Sequence, residues 1–247
     1  MNERKKSGII IIGDEVLSGK TLDTNSNFIS KQLLERGVDV REISIIQDNE
    51  QEIITKVISF SNKYDFVFTT GGIGPTHDDI TCEAISKAFK KKVVQSKIAK
   101  KLLEKHYGIE NLTRSRLKMT YFPKGYKLIE NPVSIAPGFI IKNVFVFPGV
   151  PKILEVMFFE FIDKLLKKKV YPQKVISTSL AESFIAEFIS NIQKKNSNVK
   201  IGSYPYFKNQ SFGVSLVIKS ENQKKLEEVS KEIFKYLLTK NGDPKFF

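Results

Sequence analysis

The amino-acid sequence predicts an α/β protein, a three-layer α/β/α domain with a mostly parallel sheet followed by a small α+β domain. Three observations predict it. From Ser7 to about Lys169, short apolar runs suited to buried strands alternate with amphipathic stretches, the pattern of a parallel sheet covered on both faces. The third apolar run, Asp65 to Thr70, passes straight into Gly71-Gly72, a strand-to-glycine junction of the kind that turns a strand into a helix. After Pro172 the order becomes strand, helix, strand, strand, helix, which suits a small α+β unit. The expected domains are 1–170 and 171–247.

The first strand, Gly8 to Ile12, is apolar on both sides, as a central parallel strand must be. Asn25 to Arg36 reads as a helix with Phe28, Ile29, Leu33 and Leu34 on one stripe and Gly37 as its stop. Val38 to Gln47 is the second strand and Glu50 to Asn62 the second helix. Beyond the glycine loop, helices are expected from about Asp78 to Lys90 and near Lys97 to Tyr107, then short strands at Lys127 to Glu130, Phe139 to Ile141 and Val144 to Phe147. Pro148-Gly149-Val150-Pro151 opens a helix to about Lys168. The last unit reads as strand Lys174 to Leu180, helix Glu182 to Lys194, strands Lys200 to Tyr206 and Gly213 to Lys219, and helix Gln223 to Thr239. Phe212, Val214, Leu216 and Ile218 alternate toward one face.

Composition narrows the function classes. The 247 residues, 41% of them hydrophobic, can bury a sizeable core. No apolar run approaches the roughly 18 residues of a transmembrane helix, and the basic start Met1 to Lys6 leads into only four isoleucines rather than a signal peptide. The expectation is a cytoplasmic protein with no membrane partner. One cysteine, Cys82, and two histidines argue against disulfides and Cys/His zinc. Any metal must be held by oxygen. The net charge of +13 raises nucleic acid as a partner, but the lysines are spread over many helix faces, for example Lys90 to Lys92 and Lys167 to Lys169. They read as solvated faces, and no specific nucleic-acid partner is expected. A homo-oligomer is compatible with the sequence.

Chemistry concentrates at the glycine loop. Gly71, Gly72 and Gly74 allow a tight turn and close backbone approach, and Pro75-Thr76 leads toward a helix whose first amides suit a phosphate. The same residues also suit a plain strand-to-helix connection. Asp14 and Glu15 end the first strand and Asp48 the second, so a parallel sheet brings them to the same edge as Asp78 and Asp79. Carboxylates beside a phosphate repel it, and a divalent ion (Mg²⁺, Mn²⁺ or Co²⁺) held by some of Asp14, Glu15, Asp48, Asp78 and Asp79 resolves the conflict. Pro148-Gly149 is either a second backbone anion site or a turn. His77 either orients water or lies on the surface, and Cys82 reads as helix packing. Ser134 and the Pro137-Gly138 turn either close over the ligand or form a plain loop. Tyr204 and Tyr206, flanking Pro205, either stack on a planar ring or pack a broken strand end against the main domain.

The combined motifs resemble a known superfamily. Gly13-Asp14-Glu15-Val16-Leu17-Ser18-Gly19, Asp23 to Asn27, Gln47-Asp48-Asn49 and Thr70 to Thr81 look like the molybdopterin-binding (MoCF biosynthesis) superfamily. They are most similar to the CinA amino-terminal domain and the molybdopterin-binding-like domain of eukaryotic FAD synthases. Met119 to Pro123, Ala136 to Phe139 and Phe147 to Pro151 follow in the same order. The resemblance covers about 8–160 and, through Ala181 to Ala186 and Ile201 to Pro205, extends to the FAD-synthase-type domain. It implies a small-molecule nucleotide or pterin ligand, with molybdopterin among the candidates. It also implies acidic roles for Asp48 and Asp79 and a phosphate loop of Gly71, Gly72, Gly74 and Thr76. No deamidase domain of longer CinA proteins and no nucleotidyl-transferase domain is seen, so those activities are not expected. Three functions are compatible: a metal-dependent hydrolase of nucleotide diphosphates such as ADP-ribose or FAD, an adenylyl transferase acting on molybdopterin, or a non-catalytic binding module. The last is weakened by the lack of a Gly-x-x-Gly clamp in 172–247.

Overall fold

Four isoleucines in succession, Ile9 to Ile12, are all at most 3% exposed, and alternate members enter different cores. This is what a central strand covered on both faces requires. The computed structural model describes residues 4–169, 172–208 and 211–247. Expectations for the first three residues of the basic start and for the boundary at 170/171 lie outside them. The chain divides into two compact units, Met1–Lys169 and Val170–Phe247.

In the first unit the strands are β1 (Lys6–Ile12), β2 (Asp39–Ile46), β3 (Phe66–Thr70), β4 (Val93–Gln95), β5 (Tyr121–Pro123), β6 (Lys127–Ile129), β7 (Gly138–Ile141) and β8 (Val144–Phe147). Its helices are α1 (Asp14–Leu17), α2 (Asn25–Leu34), α3 (Glu50–Lys63), α4 (Thr81–Ala88), α5 (Lys97–Tyr107), α6 (Arg114–Lys118) and α7 (Pro151–Leu165). The main sheet runs β2-β1-β3-β8-β7-β6, parallel from β2 to β8 and antiparallel beyond. One face buries Ile10 and Ile12 with Ile53, Val57 and Phe60 of α3 and Ala84 and Ile85 of α4. The other buries Ile9 and Ile11 with Ile29 and Leu33 of α2 and Leu154, Met157 and Phe158 of α7. The three-layer α/β/α architecture is thus the expected one. Arg36, buried just beyond α2, bonds the Asp163 carboxylate of α7 and the Gln32 carbonyl, which ties two helices of one layer together.

The second unit contains β9 (Gln173–Thr178), α8 (Glu182–Lys195), β10 (Val199–Lys208), β11 (Ser211–Ser220), α9 (Gln223–Thr239) and β12 (Lys245–Phe246). They form an antiparallel sheet of order β10-β11-β9-β12 over a core that includes Ile176, Ile185, Val214, Leu216, Ile218 and Ile233.

Three expectations need correction here. Phe212 continues the row of Val214, Leu216 and Ile218 but is 73% exposed, its ring against Phe207. Strand period decides which face a side chain takes, not how far the covering layer reaches. Leu34 is 44% exposed at the end of the α2 stripe. Pro205 does not break its strand: β10 runs through it, paired with Val214. β10 is an edge strand, where a missing N–H is tolerated.

Candidate functional site

Parallel pairing of β2, β1, β3 and β8 brings their C-terminal ends to one sheet edge, the usual place for a ligand in an open α/β sheet. The bond from the Gly13 amide to the Ile46 carbonyl (3.1 Å) and that from the Gly71 amide to Phe147 (3.1 Å) carry the ladder one step past the strands.

The loop after β3 depends on positive φ angles of 105° at Gly71 and 66° at Gly72. A Cβ at Gly71 would lie 2.0 Å from the Ile12 carbonyl, and one at Gly72 2.1 Å from Thr81 Oγ1, so neither position accepts a side chain. Thr81 closes the turn, its amide donating to the Gly72 carbonyl (3.0 Å) and its hydroxyl to the Gly71 carbonyl (3.0 Å). Among the described residues, the amides of Gly72, Ile73 and Gly74 have no hydrogen-bond acceptor. Gly149 stands against this turn, since a Cβ on it would lie 3.3 Å from Gly71 Cα. Asn25, at the start of α2, locks the two together: its Nδ2 donates to the Gly149 carbonyl (2.7 Å) and to Thr70 Oγ1 (3.3 Å).

The helix expected from Asp78 begins instead at Thr81, so Asp78 and Asp79 lie in the loop and not in a first helical turn. Local side-chain bonds compete with helix formation here. Asp79 Oδ2 accepts from the Thr76 amide (2.8 Å) and from the Thr76 hydroxyl, closing a four-residue turn. Gly74 leaves room for it, because a Cβ there would meet Asp79 Oδ2 at 2.7 Å. Lys118 of α6 braces the turn by donating to the Thr76 carbonyl (2.8 Å). Ile73, Gly74, Asp79, Lys118 and Pro137 line one small cavity.

Asp48 lies on the other side of the loop, its Oδ1 3.5 Å from where a Gly72 Cβ would be, while its Oδ2 accepts from the Asp14 amide (3.2 Å). Burial pushes the Asp48 carboxyl above the usual range, and the carboxylates of Asp14, Glu15 and Asp78 push the same way against the opposing Asp14 amide. Asp78 is held below that range by the Thr76 hydroxyl and then by its own amide. The single Thr76 proton can serve Asp78 or Asp79 but not both at once.

The five carboxylates do not form a metal cage. Among the described residues, no group of three or more His, Cys, Asp or Glu is gathered to hold an ion. Asp79 is turned to Thr76, and Asp14 gives Asp48 its amide rather than its carboxylate. The donor set fits an ion that keeps mostly water and ligand phosphates in its shell and takes one or two carboxylates, as Mg²⁺ commonly does. Burial is the main cause that raises Asp48, and the smaller contribution of Asp14, Glu15 and Asp78 is the part that such an ion would neutralise.

Of the other candidates, His77 is a surface residue with its side chain 98% exposed. Burial pushes the Cys82 thiol up to about 12, and its Sγ donates to the Tyr121 carbonyl (3.0 Å), a packing role. Ser134 is held by Asn131, whose Oδ1 accepts its amide. Asn25, Thr81 and Lys118 are the members that sequence reasoning missed. Asn25 and Thr81 lie within the motifs Asp23 to Asn27 and Thr70 to Thr81, which gave them no individual role, and Lys118 lies outside both.

The model of the probable molybdopterin binding domain matches residues 8–168. The chain belongs to this family. The model of the FAD synthase middle domain matches residues 171–241. A CinA protein of Thermoplasma acidophilum has a similar structure (TM-score 0.63, 35% identity, covering 66% of this chain and 99% of that one). Relatives include a protein of Archaeoglobus fulgidus, 37% identical over 80% of this chain and 84% of its own. A probable FAD synthase of Caenorhabditis elegans is 34% identical over 93% of this chain and 49% of its own. The chain likewise covers 56% of a Clostridium botulinum relative named for competence damage, so it spans about half the length of several relatives that it matches. Among the described residues no helix is long and apolar enough to cross a membrane.

Proposed function

We propose that this sheet edge binds a nucleotide diphosphate of the ADP-ribose or FAD type and hydrolyses its phosphoanhydride with the help of a divalent ion. The observation that supports this reading most is the meeting of two opposites. The unengaged amides of Gly72, Ile73 and Gly74 belong to one loop, which at Gly72 meets Asp48, a carboxylate raised by burial and surrounding acids. The amides donate to phosphate oxygens, and Gly149 adds a second backbone approach to the same group. Asp48 keeps Oδ2 on the Asp14 amide, which leaves Oδ1 to take a proton from the attacking water. Asp79 shapes the loop through Oδ2 and offers Oδ1 toward the ligand. A Mg²⁺, Mn²⁺ or Co²⁺ ion would be held by one or two carboxylates, Asp48 and Asp79 first and Asp14, Glu15 and Asp78 otherwise, and would supply charge neutralisation for the phosphates.

The family match supports a second reading in which the same loop holds a molybdopterin-like pterin phosphate and transfers AMP to it. One experiment separates the two. The protein is incubated with a panel of dinucleotides and ADP-ribose, with and without each cation, and in parallel with ATP and a pterin phosphate, and products are resolved by chromatography. Cation-dependent release of mononucleotides supports hydrolysis, an adenylated pterin supports transfer, and neither product leaves binding without turnover.

A further inference from the structure

The open face of the second unit's sheet carries two tyrosines and three lysines that the diphosphate site does not use. Cross-strand register sets its rows. Tyr204, Ser215, Ser177 and Lys245 form one, Gly202, Val217 and Val175 the next, and Lys200, Lys219 and Gln173 a third. Tyr206, opposite Gly213, extends the face at its other end. Both rings lean over glycines instead of standing off the sheet. A Cβ at Gly202 would meet Tyr204 Cε2 at 2.7 Å, and one at Gly213 would meet the Tyr206 hydroxyl at 2.4 Å. Tyr204 is nonetheless 58% exposed, which leaves much of its ring to solvent.

The charges on this face are one-sided. Lys200 and Lys219 stand directly opposite one another, an arrangement that destabilises a strand pair, and the rows named above contain no Asp or Glu. Lys245 sits at the far edge with Asp243 as its partner (2.9 Å). Aromatic faces beside lysines on an open sheet suit planar bases joined by phosphates. From Tyr206 to Lys200 the face covers four same-side positions of β10, roughly 20 Å at about 3.3 Å per residue, longer than one mononucleotide.

We propose that this face binds single-stranded nucleic acid without sequence preference, bases stacking on Tyr204 and Tyr206 and phosphates meeting Lys200, Lys219 and Lys245. The claim is independent of the diphosphate reading, and it leaves intact the expectation that no nucleic acid is recognised by sequence.

The test is fluorescence anisotropy of the full chain with a labelled oligouridine of about ten nucleotides at low salt. Wild type should bind it, more tightly than a duplex of equal length. Tyr204→Leu with Tyr206→Leu keeps apolar cover over Gly202 and Gly213 but removes the π faces, and should weaken binding about tenfold or more with melting temperature unchanged. Tyr204→Phe should retain affinity. Lys200→Gln with Lys219→Gln should flatten the salt dependence by a slope of about 1 to 2. No binding by wild type, equal affinity in the double Leu variant, equal binding of duplex, or competition by UMP at the concentrations at which the oligomer binds would each overturn the proposal.

Discussion

In the proposed hydrolysis Asp48 is the base, and its environment makes a prediction about stability as well as activity. Its carboxyl is raised in the folded protein by burial and by Asp14, Glu15 and Asp78. A raised carboxyl binds its proton more readily folded than unfolded, so its ionised form opposes folding above the folded value, and the penalty is relieved as pH falls through it. Asp48→Asn keeps an oxygen for the Asp14 amide and removes the charge. The variant should melt higher than wild type at pH 7, with the difference shrinking as acid protonates the wild-type carboxyl, and turnover on the substrate found should fall about 10²-fold or more. Thermal melts across pH together with rates check both. A lower melting temperature at pH 7 would show that the surrounding acids are already compensated. The charge of Asp79 tests the proposal differently, because its Oδ2 bonds to Thr76 are structural. Asp79→Asn can keep the amide bond while losing the charge, so a rate loss without a change in melting would favour a role toward the ligand.

At the scale of elements, the loop after β3 is set by sterics, and two glycines with positive φ separate that from conformational preference. Gly19, at φ 74°, has open space where a Cβ would go, whereas at Gly71 the Cβ would lie 2.0 Å from the Ile12 carbonyl. Gly19→Ala should cost about 1 kcal/mol, the left-handed penalty alone. Gly71→Ala should cost several times as much, since β1 and β3 must separate to admit it; denaturant melts of the pair check this. Asn25→Ala, which removes the tie between α2, Thr70 and Gly149, should cost about 1–3 kcal/mol and weaken ligand binding. The main strands and long helices were legible in the sequence because burial on both faces leaves an unbroken apolar run, as in Ile9 to Ile12, and α9 keeps its period over Gln223–Thr239. The start of α4 was not legible. Asp79 had two local uses, helix start or turn closure with Thr76, and only the tertiary brace from Lys118 and the Thr81 bonds to Gly71 and Gly72 selects between them. The same holds for the carboxylates. Sequence placed them at strand ends on one edge, but it could not say that Asp14 would face Asp48 with its amide. Short pieces such as β4, β5, α6 and β12 carry too few residues for any period to show.

For the whole molecule, the excess of positive charge is spread rather than focused. Several lysines are engaged in surface pairs, as in Lys63 with Glu42 (2.7 Å), Lys87 with Glu50 (2.6 Å) and Lys174 with Glu227 (2.6 Å), each worth little individually. Such a surface favours anionic ligands generally without selecting one. In the proposed function selection falls to the sheet edge of the first unit, where the family match and the glycine loop coincide. Under that proposal, backbone amides and carboxylates are reconciled around a phosphate only through a cation. The most direct measurement is titration calorimetry of the full chain with non-hydrolysable methylene-bridged analogues of ADP-ribose and of FAD, first in Mg²⁺, Mn²⁺ or Co²⁺ and then with chelator in place of the ion. Affinity for at least one of the two should fall tenfold or more, about 1.4 kcal/mol, when the ion is removed. Binding of equal strength in both conditions would contradict it.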